Sequence, residues 1–397
     1  MSNLVIKPSL SFSDIYGTDV VYNPRPSFSH HKWIPDCPVK MDLLTGSQLA
    51  VLGSMPTICN VGVVSQRSLS LYNEAGLEIE APRYEYTTEN EYRALLASFA
   101  QKQKKAVVQH IHPEGELSFE SYWIDPKLVQ YLNNKANLSE LVPQGDSPKR
   151  LTVQACDVIQ AKKNFPFPFV LKAATNEANA AGFDVWICHD EEEFQRAHAK
   201  FAADEELVIE EYLNIEKNYC VQFASHQNGD LTYLGTALQN IDEKGKYKGN
   251  WIGEHAEPAR HVIEMGKAIM KEGVKKGYRG IAGIDIAVTD EGRAVAFDLN
   301  FRVNGSTAAL LLKDSINEQL GATEIKYVSW KSHNGMAPLY DLLQEGVANR
   351  LFIPLSIYDG NVGIYNPSDS LVQGLLLGSS EHEIAAIEKK FTQAHIY

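Results

Sequence analysis

Residues 280–307 read GIAGIDIAVTDEGRAVAFDLNFRVNGST, and this stretch sets the interpretation of the whole chain. The segment Asp290–Arg293 is a turn signal between two runs of β-forming residues, which predicts a hairpin. With Glu291-Gly292 as a two-residue loop, Asp285 lies directly opposite Asp298 on the neighbouring strand. The hairpin therefore places two carboxylates side by side.

The two faces of this hairpin differ in character because side chains alternate along a strand. The predicted apolar face carries Ile284, Ile286, Val288, Val295, Phe297, Leu299 and Phe301. The opposite face carries Asp285, Asp298, Asn300 and Arg302, separated by small alanines. Directly opposed carboxylates, with Cβ atoms about 5 Å apart, repel each other. A divalent cation with oxygen ligands, typically Mg²⁺ shared with nucleotide phosphates, would relieve that repulsion. A solvated face with an Asp–Arg pair is the alternative.

The string DLNFRVNGS, preceded by Asp285, resembles the metal-binding signature of the ATP-grasp superfamily. In that family two acids and an asparagine bind the Mg²⁺ ions that carry ATP, and the arginine contacts the transferred phosphate or acyl phosphate. The resemblance implies Asp285, Asp298 and Asn300 as metal ligands, with Mn²⁺ as the alternative cation. It implies Arg302 as a catalytic residue. Asp298 stands where the family more often has glutamate.

Two lysines match positions that hold ATP phosphates in this family. Lys172 ends a predicted strand and precedes a loop of small residues, 173–182, whose backbone N–H groups can approach phosphate oxygens. The resemblance makes Lys172 a catalytic and ATP-binding residue, although the loop has less glycine than the family usually shows. Lys135, near the end of the predicted helix 125–137, corresponds to the family's first phosphate-binding lysine. Plain surface lysines are the alternative for both.

A further match is the strand 206–213, which resembles the linker that holds adenine in the family. The adenine-contacting residues implied by this resemblance are Glu210, Glu211, Tyr212 and Leu213. The residue that binds the ribose is either Glu216 or Asn218, because the chain carries one extra residue at this point.

Composition narrows the class of protein. The 397 residues include 37 basic and 50 acidic ones, and the net charge of −13 argues against nucleic acid or an anionic membrane as a partner. No apolar run reaches the roughly 20 residues that span a bilayer, and the N-terminal segment does not resemble a signal peptide. Five scattered cysteines without a CxxC motif favour a reduced, cytoplasmic protein.

The order of elements predicts the domain organisation. Residues 1–40 show no periodicity and are predicted to form an irregular arm. Short strands at 48–53, 60–64 and 106–109, with a helix at 89–104, predict a small, mostly parallel sheet. The fold class is α/β (α+β): an ATP-grasp fold preceded by a small Rossmann-like domain. We expect this domain in 1–133, the nucleotide-binding and catalytic region in 134–330, and a C-terminal part in 331–397 that completes the substrate side.

The resemblance implies an ATP-dependent, ADP-forming ligase. Such an enzyme activates a carboxylate as an acyl phosphate and couples it to an amine; amino acids or a short peptide are the expected small-molecule substrates, and a homodimer is compatible with the resemblance. Two alternatives stay open at this point. One is an ATP-grasp enzyme with thioester or carboxylation chemistry, and the other is a non-catalytic nucleotide-binding regulator.

Overall fold

A computed structural model describes residues 4–29, 31–179, 182–241, 247–333, 335–365 and 369–393. The strands in these ranges are β1 Val21–Asn23, β2 Thr57–Asn60, β3 Arg83–Tyr86, β4 Ala106–Val108, β5 Arg150–Gln154, β6 Phe169–Ala173, β7 Val185–Cys188, β8 Glu206–Glu211, β9 Ile215–Ser225, β10 Leu231–Ile241, β11 Tyr247–Gly253, β12 Gly280–Thr289, β13 Ala294–Asn300, β14 Glu324–Ser332, β15 Phe352–Tyr358 and β16 Ser370–Gly378. The helices are α1 Phe12–Tyr16, α2 Pro38–Leu43, α3 Gln66–Glu74, α4 Glu89–Gln101, α5 Pro126–Asn133, α6 Leu138–Leu141, α7 Val158–Ala161, α8 Glu191–His198, α9 Arg260–Lys275, α10 Thr307–Leu320, α11 Met336–Ala348 and α12 Glu381–Gln393.

The N-terminal part contains the small parallel sheet that the sequence predicts, in the order β3-β2-β1-β4. Its strands are only three or four residues long and mostly buried. Two strand predictions were wrong: Leu49–Val51 and Val61–Val64 form 3₁₀ turns. Both are short apolar runs, and such runs do not distinguish a buried strand from a buried turn by periodicity.

The N-terminal segment is not the irregular arm that the sequence predicts. It includes α1, α2 and the strand β1, which lies between β2 and β4 in the parallel sheet. The β1 residues Val21–Asn23 are fully buried. A three-residue strand is too short to show a period, and the neighbouring prolines favoured a loop assignment.

A second, antiparallel sheet has the order β5-β8-β6-β7. Its apolar side chains form a small core with α7 and α8, which includes Phe169, Leu171, Phe194 and Ile209. The strand β6 carries Lys172 and the adjacent strand β8 carries Glu210, so the sheet holds both residues on rigid elements. The helix α8 begins after Asp190, whose side chain accepts from the Glu193 N–H and so caps the helix.

The third and largest sheet has eight strands in the order β13-β12-β9-β10-β11-β14-β16-β15. The C-terminal strands β14, β16 and β15 continue this sheet beyond β11. Their buried side chains therefore share one apolar core with α10. The final strand in this order, β15, also contacts the N-terminal part. Ser356 Oγ donates to the Leu43 carbonyl at 2.6 Å, and the Ile357 N–H donates to Tyr72 Oη at 2.9 Å.

The hairpin β12–β13 pairs Asp285 with Asp298, as the sequence predicts. The predicted register fails beyond that pair, because a β-bulge shifts it by one residue and Ile286 lies opposite Ala296. Val295 therefore pairs with Ala287 and does not belong to the apolar core below the hairpin, which contains Ala296, Leu299 and Phe301. The bulge leaves Phe297 only half-buried beside the polar face.

The helix α9 packs on this hairpin and on β9 through a buried face that includes two glycines. Gly273 lies so close to the buried Phe301 ring that a β-carbon would approach its Cε1 atom to 2.3 Å. On the same helix, a β-carbon at Gly266 would stay 3.1 Å from Phe223. The helices within the described ranges include none that combines the length and the apolar character required to cross a bilayer.

We expect Gly273→Ala to reduce the free energy of unfolding by about 1–2 kcal/mol, because overpacking outweighs the gain in helix propensity. Chemical denaturation monitored by circular dichroism measures the change. Gly266→Ala is the matched control, since it adds the same methyl group with a looser contact. A Gly273→Ala variant at least as stable as Gly266→Ala would show that Phe301 can move freely.

Candidate active site

The paired aspartates form the centre of a polar network on one face of the eight-stranded sheet. Asp285 is buried and accepts hydrogen bonds from Gln239 Nε2 at 2.8 Å and from Asn300 Nδ2 at 3.2 Å. Asn300 Oδ1 accepts in turn from Arg302 Nη2 at 2.7 Å. The three predicted ligands and the predicted catalytic arginine therefore lie next to one another.

The two carboxylates of this network have opposite electrostatic environments. Burial, and then the charge of Asp298, raise the pKa of Asp285 above its ordinary value. Burial also opposes the charge of Asp298, but Lys135 and Lys172 outweigh it and hold the pKa of Asp298 below its ordinary value. The negative charge of Asp285 thus has too few positive groups near it, and a bound cation would stabilise that charge.

Lys135 lies at the site but in a different local structure from the one predicted. The helix α5 ends at Asn133, and Asn134 caps a 3₁₀ turn that begins with Lys135. The buried ammonium pairs with Asp184 Oδ2 at 2.8 Å and with Asp298 Oδ1 at 3.2 Å. Burial alone would lower the pKa of Lys135, but these two carboxylates raise it, so the lysine stays charged.

Lys172 is buried and forms an ion pair with Glu210 Oε2 at 2.6 Å. Its Nζ also donates to the Phe297 carbonyl at 2.9 Å, at the bulge of the β12–β13 hairpin. Arg150 Nη2 lies 3.3 Å from the other Glu210 oxygen. The antiparallel sheet β5-β8-β6-β7 is therefore connected to the hairpin of the aspartate pair through the buried Lys172 ammonium. This position excludes the alternative that Lys172 is a plain surface lysine.

The predicted adenine-binding linker, residues 206–213, includes Glu210 and continues beyond it along the chain. The side chains of Glu210 and Glu211 are occupied by ion pairs, Glu211 with Arg293 at 3.0 Å, so adenine contacts from these residues would have to come from the backbone. Tyr212 is exposed and Leu213 is half-buried beyond the end of β8.

The two ribose candidates differ in their surroundings. Glu216 is exposed near the start of β9. Asn218 is buried, and its Nδ2 donates to Gln239 Oε1 at 3.3 Å, within the network that holds Asp285. A free carboxylate is therefore offered by Glu216, whereas Asn218 helps to orient Gln239.

A cavity with about 490 Å³ of space not filled by atoms, in part continuous with solvent, opens above this face. Its walls include Asp298, Asn300, Arg302 and Lys135 from the network. The residues 175–179 after β6 cover it, and Asn134 Nδ2 donates to Asn176 Oδ1 at 2.9 Å. The segment 109–111 lines another side of the cavity. It follows β4 directly, and ligands of open α/β sheets usually bind at the carboxyl ends of the strands.

Several residues of the site were missed by the sequence interpretation. Asp184, Arg150 and Gln239 all contact predicted residues from other segments of the chain, and their positions in the sequence carry no motif. Ser306 precedes α10, but its side chain does not cap this helix; its Oγ accepts from Gln222 Nε2 at 2.8 Å. Such contacts depend on strand pairing, which local patterns do not reveal.

The donor set fits a magnesium–nucleotide complex better than a metal held by protein alone. Within the described residues no three side chains among His, Cys, Asp and Glu form a metal-binding group. Two carboxylates and one amide remain, and Mg²⁺ is usually bound in this way, with phosphates and water supplying its other ligands. The buried charge of Asp285 and the adjacent lysines suit such a complex.

Solved structures share this fold over nearly the whole chain. An N5-carboxyaminoimidazole synthetase from Staphylococcus aureus, complexed with ADP, has a TM-score of 0.58 at 11% identity and covers 98% of this chain and 99% of its own. A carboxyaminoimidazole ribonucleotide synthase from Aspergillus clavatus, complexed with ATP, has a TM-score of 0.56 at 9% identity, with coverage of 96% and 99%. An L-amino acid ligase from Bacillus licheniformis has a TM-score of 0.54 at 12% identity, with coverage of 94% and 97%. These likenesses establish the ATP-grasp fold.

Two family models match the sequence itself. One describes the ATP-grasp domain of L-aspartate–L-methionine ligase and matches residues 148–300. The other describes the N-terminal domain of the same ligase and matches residues 11–130. The chain belongs to the ATP-grasp superfamily, and it is an ATP-dependent ligase that forms a carbon–nitrogen bond between a carboxylate and an amine. Within that class, both models describe an amino-acid ligase, which confirms the expected kind of substrate.

Proposed function

We propose that this ligase joins an acidic amino acid, with L-aspartate as the first candidate, to an apolar amino acid such as L-methionine. The observation that carries the proposal is the pairing of Asp285 with Asp298 on a face that opens into a cavity with Arg302. The matched family models supply the two candidate substrates.

In this proposal Asp285, Asp298 and Asn300 hold Mg²⁺, or Mn²⁺ in its place. The cation would neutralise charge on the β- and γ-phosphates of ATP. Lys172 and Lys135 are placed to hold phosphate oxygens, because Lys135 pairs with Asp298 itself and Lys172 bonds to the adjacent Phe297 carbonyl.

In this proposal the adenine base and the ribose bind at the end of β8 and the start of β9. We assign adenine to the backbone of Glu210–Leu213, with Tyr212 and Leu213 as apolar walls. We assign the ribose hydroxyls to Glu216, since its carboxylate is exposed, and give Asn218 a role in orienting Gln239.

The reaction then has two balanced steps. A substrate carboxylate oxygen takes the γ-phosphoryl group, and ADP leaves. The amine nitrogen attacks the acyl carbon, the bond from that carbon to the phosphate oxygen breaks, and the amine proton leaves with phosphate or water. Arg302 lies where it can stabilise the charge that develops on the acyl oxygens.

The organisation of the chain is part of the same proposal. We retain 1–133 as the N-terminal domain, 134–330 as the nucleotide-binding and catalytic region, and 331–397 as the part that completes it. A homodimer and a cytoplasmic location remain predictions. Light scattering of the purified protein and fractionation of its cells test these two.

The direct test is phosphate release from ATP with pairs of amino acids. We expect release with L-aspartate and L-methionine together, a dipeptide detectable by mass spectrometry, and little release with either alone. Release that instead requires bicarbonate or coenzyme A would contradict the amine as acceptor. ATP binding without release under any of these conditions would favour a nucleotide-binding regulator.

For Arg302→Gln we expect kcat for phosphate release to fall by about 10²–10³-fold, because a preorganised cation beside the reacting carbon is lost. The affinity for ATP should change little, since Arg302 contacts Asn300 and not the predicted adenine or ribose positions. Arg260→Gln, an exposed arginine at the start of α9, is the control. An unchanged kcat in Arg302→Gln would remove Arg302 from the chemistry.

A further inference from the structure

The cavity described above lies over the face of the β12–β13 hairpin that carries Asp285, Asp298 and Asn300, which we call the metal face, and it does not end at Arg302. A second cavity, with about 400 Å³ of unfilled space that is in part continuous with solvent, adjoins it. Both are lined by Ile111, Val129 and Arg302, so these three residues form the boundary between them. We call the first the polar chamber and the second the apolar chamber.

The polar chamber is lined mainly by groups that donate hydrogen bonds. Besides Arg302 and Lys135, its walls carry the amide side chains of Gln109, Gln130, Asn133, Asn176 and Asn179. His110 also lines it and is buried; burial, and then the charge of Arg302, hold the pKa of His110 well below its ordinary value. Phosphates and a substrate with two carboxylates suit such surroundings.

The apolar chamber has a different composition. Its walls include Tyr16, Tyr122, Trp123, Ile124, Tyr278 and Phe301. The phenol groups are already engaged by backbone: Tyr16 Oη accepts from the Ile281 N–H at 2.9 Å, Tyr278 Oη donates to the Ile281 carbonyl, and Tyr122 Oη accepts from the His112 N–H at 2.9 Å.

These hydrogen bonds determine what the chamber can bind. With their hydroxyl groups committed to backbone, the tyrosines contribute mainly apolar ring surface. Arg279 and Arg302 also line the chamber, and their guanidinium groups already donate to protein oxygens, Arg279 to the Tyr278 carbonyl and Arg302 to Asn300 Oδ1. A cationic side chain would be repelled by these two arginines, and an uncharged polar one would lose its hydration among the rings. An unbranched aliphatic or thioether side chain would gain apolar contacts, and a sulfur atom packs favourably beside aromatic rings.

The positions of the metal-face residues decide which substrate extends into the apolar chamber. Asp298 and Asn300 line the polar chamber but not the apolar one. The carboxylate that receives the phosphoryl group must lie beside those residues, on the polar side. The amine-supplying substrate would then reach the acyl carbon from the apolar chamber, across the boundary formed by Arg302, Ile111 and Val129.

We infer that the apolar chamber is the specificity site for the side chain of the amino acid that supplies the amine, and that it selects an unbranched apolar side chain such as that of methionine. The inference rests on the proposed ligase function. It adds the location of the selectivity, at the boundary between the N-terminal domain and the metal-face hairpin, and makes Ile124 a specificity-determining residue.

The experiment uses the full-length protein with ATP, L-aspartate and a panel of amine-supplying amino acids. Three side-chain heavy atoms distinguish methionine from alanine, so we expect wild-type kcat/KM to favour methionine on the order of 50-fold. Ile124→Ala enlarges the chamber. We expect it to lower the methionine-to-alanine ratio about fivefold and to raise the relative use of phenylalanine at least fivefold, with KM for ATP unchanged.

Ile263→Ala is the matched control, because Ile263 is a half-buried isoleucine that packs on the same core as Ile124 but does not line the chamber. A second variant, Ile124→Trp, fills the chamber and should reduce methionine use while sparing alanine. A purely structural role for Ile124 would lower all rates together and would not increase the use of phenylalanine.

Two contradicting outcomes are distinguishable. If wild-type protein releases phosphate with aspartate and methionine, but both Ile124 variants keep the wild-type selectivity, the assignment of the apolar chamber is wrong and the ligase proposal stands. If wild-type protein releases no phosphate with any amino-acid pair, the proposed substrates are wrong, and the inference is overturned with them.

Discussion

Asp285→Asn is expected to lower phosphate release by about 10³-fold or more, because the metal–phosphate complex loses a charged ligand. The stability of the ligand-free protein should not fall. Asparagine keeps the shape and can still accept from Gln239. It loses the longer, 3.2 Å hydrogen bond from Asn300, but the repulsion between Asp285 and Asp298 disappears and offsets that loss. Phosphate release at saturating substrates and the melting temperature without ligands measure the two effects.

A third measurement ties the result to the cation. The melting temperature of the wild-type protein should rise when Mg²⁺ and ADP are added together, since ligands that bind the folded state stabilise it. The rise should be absent in Asp285→Asn. Asp290→Asn is the control, because Asp290 lies in the exposed turn of the same hairpin. An equal rise in Asp285→Asn would exclude Asp285 as a ligand.

Lys172→Met is expected to have two separate effects. Loss of the ammonium should weaken ATP binding and lower kcat/KM for ATP by at least about 10²-fold, because a buried phosphate-binding charge is removed. It should also destabilise the fold by about 3 kcal/mol, since Glu210 would keep its buried charge with Arg150 as its remaining ion-pair partner.

The double variant Lys172→Met/Glu210→Gln separates these effects. Glutamine at position 210 no longer carries a charge that needs the lost ammonium group, but it also leaves Arg150 without its ion-pair partner, so stability should recover only in part while the activity stays low. Lys149→Met, at an exposed lysine adjacent to Arg150 in sequence, serves as the control. Recovery of activity in the double variant would mean that Lys172 serves only to neutralise Glu210.

The sequence was most informative where alternation, turn chemistry and a spaced motif coincide. The hairpin from Gly280 to Asn300 has all three, and the pairing of Asp285 with Asp298 follows from them. The bulge could not be predicted, because a one-residue shift leaves the composition of both strands unchanged. Its effect on Phe297 and Val295 is visible only in three dimensions.

The other wrong or missing predictions also concern features that tertiary contacts determine and local sequence patterns do not. The short strand β1 has no period, and the turns at 49–51 and 61–64 are apolar because they are buried, not because they are strands. Lys135, Lys172 and Glu210 were located from their sequence neighbours. Their partners come from other segments, Asp184 from the turn before β7 and Arg150 from β5, and the tertiary fold alone brings them together.

The contact of β15 with the N-terminal part has a consequence for how the molecule is made. Ser356 and Ile357 bond to Leu43 and Tyr72, which are synthesised 313 and 285 residues earlier, respectively. During synthesis the surface around Leu43 and Tyr72 in the N-terminal part therefore stays uncovered until nearly all of the protein has been translated. A protein released before residue 352 would lack both this cover and the edge of the large sheet, so early termination should produce a chain that binds chaperones instead of a shorter enzyme.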